Sequence, residues 1–152
     1  MPEIAVADAS ALIALEKINL LDILCRLYDE IILPEAVINE FGNPTIDCYS
    51  TKKVESALLR LLVSDLNLGK GESEVIALGR ETGMRVIIDD LKARKVAETL
   101  ELNVTGTIGI LIKAEKLGLI DSAHDKVREL RDKGFYVSDQ LLDDISKLKI
   151  SD

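Results

Sequence analysis

The chain has 152 residues, 47% hydrophobic and 30% charged, so it can bury a real core and is too apolar for a disordered protein. It carries 19 Lys and Arg against 27 Asp and Glu, a net charge of −8, which excludes a generic duplex-DNA binder held by a basic field. Trp is absent, and three Tyr with two Phe make no aromatic platform for base stacking.

The first apolar run, Ile4 to Ala7, stops at Asp8 and reads as a strand buried on both faces. No basic flank of a signal peptide precedes it. Ser10 is the expected cap of a helix from Ala11 to Lys17, and a second helix is expected over Leu20 to Tyr28 with its leucines on one face. Cys25 and Cys48 form no CxxC pattern, so neither a disulfide framework nor a structural zinc site is expected. Ile31 to Leu33 is a second strand. Pro34 suits the first turn of a helix that runs to Phe41 and ends at Gly42. Residues 43–50 read as a loop, Lys52 to Leu61 as a helix, and Leu62 to Ser64 as a weak strand.

After the turn at Leu68 to Gly71, Glu72 opens a helix that Gly83 terminates. Val86 to Ile88 is the next buried strand and stops at Asp89-Asp90. A helix over Leu91 to Leu100 and a short strand at Asn103 to Thr105 follow. Gly106-Thr107 starts a helix ending at Gly118, with Thr105 and Thr107 as capping residues. A helix over Ser122 to Lys133, an extended stretch at Tyr136-Val137 and a last helix from Ser138 to Leu148 complete the chain. Strands alternating with helices predict a parallel sheet covered on both faces, in one domain over 1–152. No apolar run approaches the ~18 residues of a membrane span, so a soluble, cytoplasmic protein is expected.

Two buried strands therefore end in carboxylates. In a parallel sheet the carboxyl ends of the strands share one edge, where ligands bind. Asp8 and Asp89 or Asp90 converge there if their strands are neighbours. Converging carboxylates repel unless a cation neutralises them, and all-oxygen ligands select a hard ion, Mg²⁺ or Mn²⁺. Glu40, Glu72 and Glu74 are further candidates for the same cluster. Ser10 is a candidate for a metal-bound water or a phosphate oxygen, and Lys92 and Arg94 for phosphate contacts. Such a site performs metal-assisted phosphodiester hydrolysis. The lone His124 disfavours a Ser-His-Asp site, and Gly69-Lys70-Gly71 lacks P-loop spacing. Asp8-Ala9-Ser10 lacks the second Asp of a dehalogenase-like phosphatase, and the order of acids is the reverse of a receiver domain's.

Several stretches in order carry a resemblance over essentially the whole chain. They are Val6-Ala7-Asp8-Ala9-Ser10 with Leu12 to Leu15, Leu33 to Val37 through Glu40, and Gly71-Glu72-Ser73-Glu74 with Ile76 to Leu78. Ile87 to Asp90 with Ala93-Arg94, and Val104 to Thr107, follow. The chain resembles the PIN-domain family of metal-dependent ribonucleases, and more closely its prokaryotic VapC-type, toxin-like branch. The resemblance implies a PIN-like three-layer α/β/α sandwich with a mainly parallel sheet of four to five strands. It also implies an acidic quartet of Asp8, Glu40, Asp90 and a helix-start acid, either Glu72 or Glu74, with Glu72 favoured for following Gly71. Asp89 is an extra acid beside Asp90. The implied activity is a Mg²⁺- or Mn²⁺-dependent ribonuclease, with RNA as substrate, a small antitoxin as partner and a homodimer through leucine-bearing helices such as Leu20 to Leu27. The competing expectation is an inactive PIN-like module that acts by protein contact.

Overall fold

In the computed structural model, which describes residues 3–148, five strands form one parallel sheet. They are β1 (Ile4–Ala7), β2 (Glu30–Pro34), β3 (Tyr49–Lys52), β4 (Arg85–Ile87) and β5 (Val104–Thr105), in the order β3-β2-β1-β4-β5. Val6, Ile31, Leu33, Val86 and Ile87 are fully buried, as expected of inner strands covered on both faces.

The chain steps from β1 to β2 to β3 in one direction, then jumps back across the sheet to β4 and β5. Right-handed crossovers place the helices of these two journeys on opposite faces. The first journey carries α1 (Ala9–Lys17), α2 (Leu24–Leu27, after a 3₁₀ turn at Leu21–Ile23) and α3 (Glu35–Phe41). The second carries α4 (Leu58–Arg60, continued by a π turn at Leu61–Asp65), α5 (Lys70–Thr82) and α6 (Leu91–Thr99). Then α7 (Thr107–Lys116) packs against α1, and α8 (Ala123–Asp132) and α9 (Asp139–Ser146) stack beyond it. The result is an α/β/α sandwich. α5 lies across β1, β2 and β4, with Val75 to Gly79 buried. It approaches so closely that a Cβ on Gly79 would sit 2.5 Å from Val86 Cγ1, so only glycine fits there.

The structure corrects several of the expected elements. β3 begins in the stretch expected as a loop and runs on to Lys52, the expected start of a helix; its Tyr-Ser-Thr-Lys sequence has no apolar run because it is an exposed edge strand held by its ladder to β2. Residues 52–57 are not helical, and Leu62 to Ser64 belong to the π turn rather than a strand. Pro34 closes β2 and caps α3 from outside the helix. Tyr136 and Val137 form no strand. Leu21, Leu24 and Leu27 are 7%, 0% and 6% exposed, so the leucine face expected to mediate dimerisation is buried in the core.

Cys25 and Cys48 are joined in a disulfide, contrary to the expectation from their spacing. Their Cα atoms lie 5.7 Å apart because α2 leads into β2, while the Ile31 N–H donates to the Cys48 carbonyl at 3.0 Å. That closure is tertiary and leaves no trace in cysteine spacing. Disulfides persist most readily in oxidising surroundings. Among the described residues, no helix is long and apolar enough to cross a membrane.

Candidate functional site

The reversal of strand order falls between β1 and β4, where Ala7 pairs with Ile87. The chain leaves β1 towards one face and β4 towards the other, which opens a crevice at the carboxyl edge. Asp8 and Asp90 stand at its two lips, each as the N-cap of the departing helix. Asp8 Oδ1 accepts from the Ala11 N–H at 2.9 Å, and Oδ2 accepts from the Ser10 hydroxyl at 2.9 Å. Asp8, rather than Ser10, therefore caps α1, which begins two residues earlier than expected. Asp90 Oδ2 accepts from the Ala93 N–H at 2.9 Å and caps α6.

Asp8 is only 1% exposed. Burial pushes its carboxyl up to about 7, against the two hydrogen bonds, and the charge of Asp89 adds to the rise. Glu72, in the first turn of α5, is also pushed up to about 7. Burial is the main cause, followed by the charges of Asp90 and Asp8, a carboxyl–carboxyl hydrogen bond with Asp90, and Glu40. Two carboxyls bond in this way only if one holds a proton. Glu40 is exposed on the last turn of α3. Asp8, Ser10, Glu40, Glu72 and Asp90, with the Gly71 backbone, line a single pocket of about 110 Å³. Gly71 carries no chemistry that sequence reasoning could single out; its missing side chain leaves room beside Val37 of α3.

The other candidates lie elsewhere. Glu74 is buried, and its Oε1 accepts from the Ala36 N–H at 3.0 Å, tying α5 to the start of α3. Asp89 gives both oxygens to Thr107, accepting from its N–H at 2.7 Å and its hydroxyl at 2.5 Å. Asp89 thus holds the start of α7, and Thr107 is its partner rather than a cap in its own right. Lys92 points its Nζ to the Asn67 carbonyl at 3.5 Å, and Arg94 Nη1 donates to the Ile88 carbonyl at 3.3 Å. Arg94 lies against the bare Cα of Gly106, where a Cβ would collide with it. Neither cation lines the acidic pocket.

Four carboxylates and a hydroxyl are an all-oxygen donor set of the kind that suits Mg²⁺ or Mn²⁺. Among the described residues, however, no group of three or more His, Cys, Asp or Glu side chains stands in position to hold a metal ion. Asp8 is turned to Ser10 and Ala11, Asp90 to Ala93, and Glu72 to Asp90. The donors fit the ion in kind but do not converge on one point. Residues 4–150 match the family model described as a PIN domain. No curated protein and no solved structure matches the chain.

Proposed function

Because the chain belongs to the PIN-domain family and has its nuclease-type fold, we propose that the acidic pocket holds Mg²⁺ or Mn²⁺ and hydrolyses RNA phosphodiester bonds. The observation that carries this reading is the meeting of Asp8, Glu40, Glu72 and Asp90 in one pocket at the strand-order reversal. Their mutual repulsion, visible in Glu72, is the signature of a site short of positive charge.

In this reading Asp8 and Asp90 are the fixed ligands, because their helix caps hold them. Glu72 and Glu40 are the adaptable ones; Glu72 reaches one methylene further than an Asp from its helix start. The ion, when bound, lowers the pKa of its water and neutralises charge on the phosphate. Glu72 would hold the ion as a carboxylate, so binding would be favoured at a pH where it has lost its proton. The Ser10 hydroxyl keeps the Asp8 carboxylate oriented at 2.9 Å and is free to turn to a phosphate oxygen. A toxin role with a small antitoxin partner, and a homodimer, go with this reading through the VapC-type resemblance alone.

The absence of a ready-made three-acid group among the described residues supports a second reading, a PIN module without catalysis that works through protein contact. Calorimetric titration with Mn²⁺, followed by an RNA cleavage assay in Mg²⁺, Mn²⁺ and EDTA, separates the two. The nuclease reading expects Mn²⁺ binding that is lost in Asp8→Asn, and cleavage that EDTA stops and either ion restores. Ca²⁺ should restore it poorly. Absence of Mn²⁺ binding, or cleavage unaffected by EDTA, overturns it.

A further inference from the structure

A second cavity, of about 490 Å³, runs along α7 from Thr105 and Gly109, after the end of β5, down to the opposite edge of the sheet, where Arg85 opens β4 and Lys113 and Lys116 close α7. It is lined by Tyr28, Arg85, Lys113 and Lys116, with Thr105 and Leu117 among its other walls. No carboxylate lines it, in a chain whose net charge is −8.

Lys113 and Lys116 stand in the last turn of α7, where a cation complements the helix dipole. Lys113 also bridges to Glu3 at 3.3 Å and stands 4.9 Å from the centre of the Tyr28 ring. Those roles account for the lysines as surface residues. They do not account for Arg85 or for the Tyr28 hydroxyl. Arg85 is half-buried at the start of β4 and forms no ion pair or side-chain hydrogen bond among the described residues. Tyr28 is 4% exposed, and its hydroxyl likewise has no partner among them. No fully buried side-chain polar atom among the described residues lacks a partner, so this hydroxyl opens on the cavity. Burial pushes the Tyr28 hydroxyl up, against the charge of Arg85, which keeps it a donor at neutral pH.

We propose that this cavity binds a phosphate group, with Arg85 as its anchor, Lys113 and Lys116 as flanking cations and the Tyr28 hydroxyl as a neutral donor. A guanidinium presents a rigid fork of donors that matches phosphate oxygens. Three cations and no carboxylate line the cavity, with Glu3 paired to Lys113 beside it, and that excess of positive charge suits a phosphate rather than a lone carboxylate. The volume is in the range of pockets that hold small organic ligands, roughly 300–1,000 Å³, and the apolar Leu117, Ile110 and Ile112 offer a wall to whatever carries the phosphate. The group arrives either on a free phosphorylated molecule or as part of an RNA strand.

The test is calorimetry at low salt in EDTA with inorganic phosphate and with 5′-AMP, beside fluorescence anisotropy with an RNA oligomer. The variants are Arg85→Gln, Lys116→Gln and, as a control for loss of a cation outside both pockets, Lys133→Gln. Lys116 is exposed, so its variant keeps the experiment decisive if Arg85→Gln unfolds. Binding of phosphate or AMP should weaken about tenfold or more in Arg85→Gln, the loss of one charge-assisted contact, and by a smaller factor in Lys116→Gln, with Lys133→Gln unchanged. If RNA affinity falls in parallel, the occupant is a strand phosphate; if only phosphate and AMP respond, it is a free phosphorylated ligand. No binding of any of the three probes by the wild-type protein, or binding indifferent to both cavity substitutions, overturns the proposal. Every arm omits metal, so this failure is distinct from failure of the acidic pocket.

Discussion

The two edges of one sheet carry opposite chemistry. At the carboxyl edge, Asp8, Glu40, Glu72 and Asp90 crowd a pocket of about 110 Å³, and the carboxyls of Asp8 and Glu72 are pushed up to about 7. At the amino edge, Arg85, Lys113 and Lys116 share a wider cavity, and the Cys25–Cys48 disulfide fastens α2 to the chain entering β3. The polarity follows from parallel strands. Every strand delivers its last residue to one edge and its first to the other, so the acids that follow β1 and β4 meet at one edge while Arg85 opens β4 at the other. The carboxyl edge gathers mutually repelling acids, whereas the amino edge carries cations and a covalent tie.

The largest expected effect tests the carboxyl edge. Asp8→Asn should reduce RNA cleavage by about a hundredfold or more, since the loss of a fixed metal ligand removes the ion's contribution to the transition state. Near pH 7 and above, the metal-free variant should be at least as stable as the wild type, because Asn still caps α1 and no longer brings a buried charge towards Asp89. Retained cleavage, or a large drop in melting temperature, breaks the contrast between a site that stores repulsion and one that contributes stability.

The same repulsion sets a pH dependence. The Asp8 carboxyl moves from 3.8 to about 7 on folding, so the folded protein binds the extra proton more tightly than the unfolded chain. Its stabilising contribution is fully present below about pH 3.8 and is lost as pH rises through about 7. The unfolding free energy of the wild type, minus that of Asp8→Asn, should therefore rise as pH falls from 7 to 4. Each tenfold gain in proton affinity is worth roughly 1.4 kcal/mol, so the full change is on the order of 4 kcal/mol. Glu72 moves in the same direction. Saturating Mn²⁺ should reverse the sign near pH 7, because the ion favours the charged carboxylates. Denaturant melts across this range, with and without Mn²⁺, measure both effects.

At the amino edge, reduction of the disulfide should cost about 3 kcal/mol on a chain-entropy estimate for the loop it closes. Mn²⁺ affinity should stay within a factor of about two, because neither cysteine lines the acidic pocket. Urea melts and calorimetry with and without reductant test this. A parallel loss of metal affinity would show that the two edges are mechanically one unit.

The acidic edge was legible in the sequence, because an apolar run that stops at an acid marks both a buried strand and its end. Asp8 follows from that rule, which leaves Asp89 and Asp90 open after the second run and needs the PIN-domain resemblance to choose Asp90; the helices that close at Gly42, Gly83 and Gly118 follow from glycine punctuation. Other features depend on contacts far apart in the chain. β3 is polar because only its backbone is needed at the sheet's edge. Glu72 and Glu74 look alike in sequence, yet the near-complete burial of α5 sends Glu74 to the Ala36 N–H and leaves Glu72 facing the pocket. The disulfide and the cationic cavity each join segments that only the sheet brings together, and Arg85 carries no local sign of its neighbours in α7.

The smallest expected effect separates two adjacent acids. Asp89 and Asp90 both follow β4, but Asp89 faces Thr107 with both oxygens while Asp90 faces the pocket and caps α6. Thr107→Val removes the hydroxyl that donates to Asp89 and leaves the backbone donor in place. It should lower stability by about 1.5–3 kcal/mol, the range for one hydrogen bond to a charged group. Mn²⁺ affinity should change by less than about threefold, since the lost contact lies outside the pocket. Asp90→Asn should behave in the opposite way. Asn still caps α6, so stability should hold within about 0.5 kcal/mol, while Mn²⁺ affinity should fall at least about tenfold, as expected for a lost charged ligand. Melting curves and calorimetry on the two variants side by side decide the matter. If Thr107→Val weakens Mn²⁺ as strongly as Asp90→Asn does, Asp89 is part of the metal-holding set, and the division of labour between the two acids is wrong.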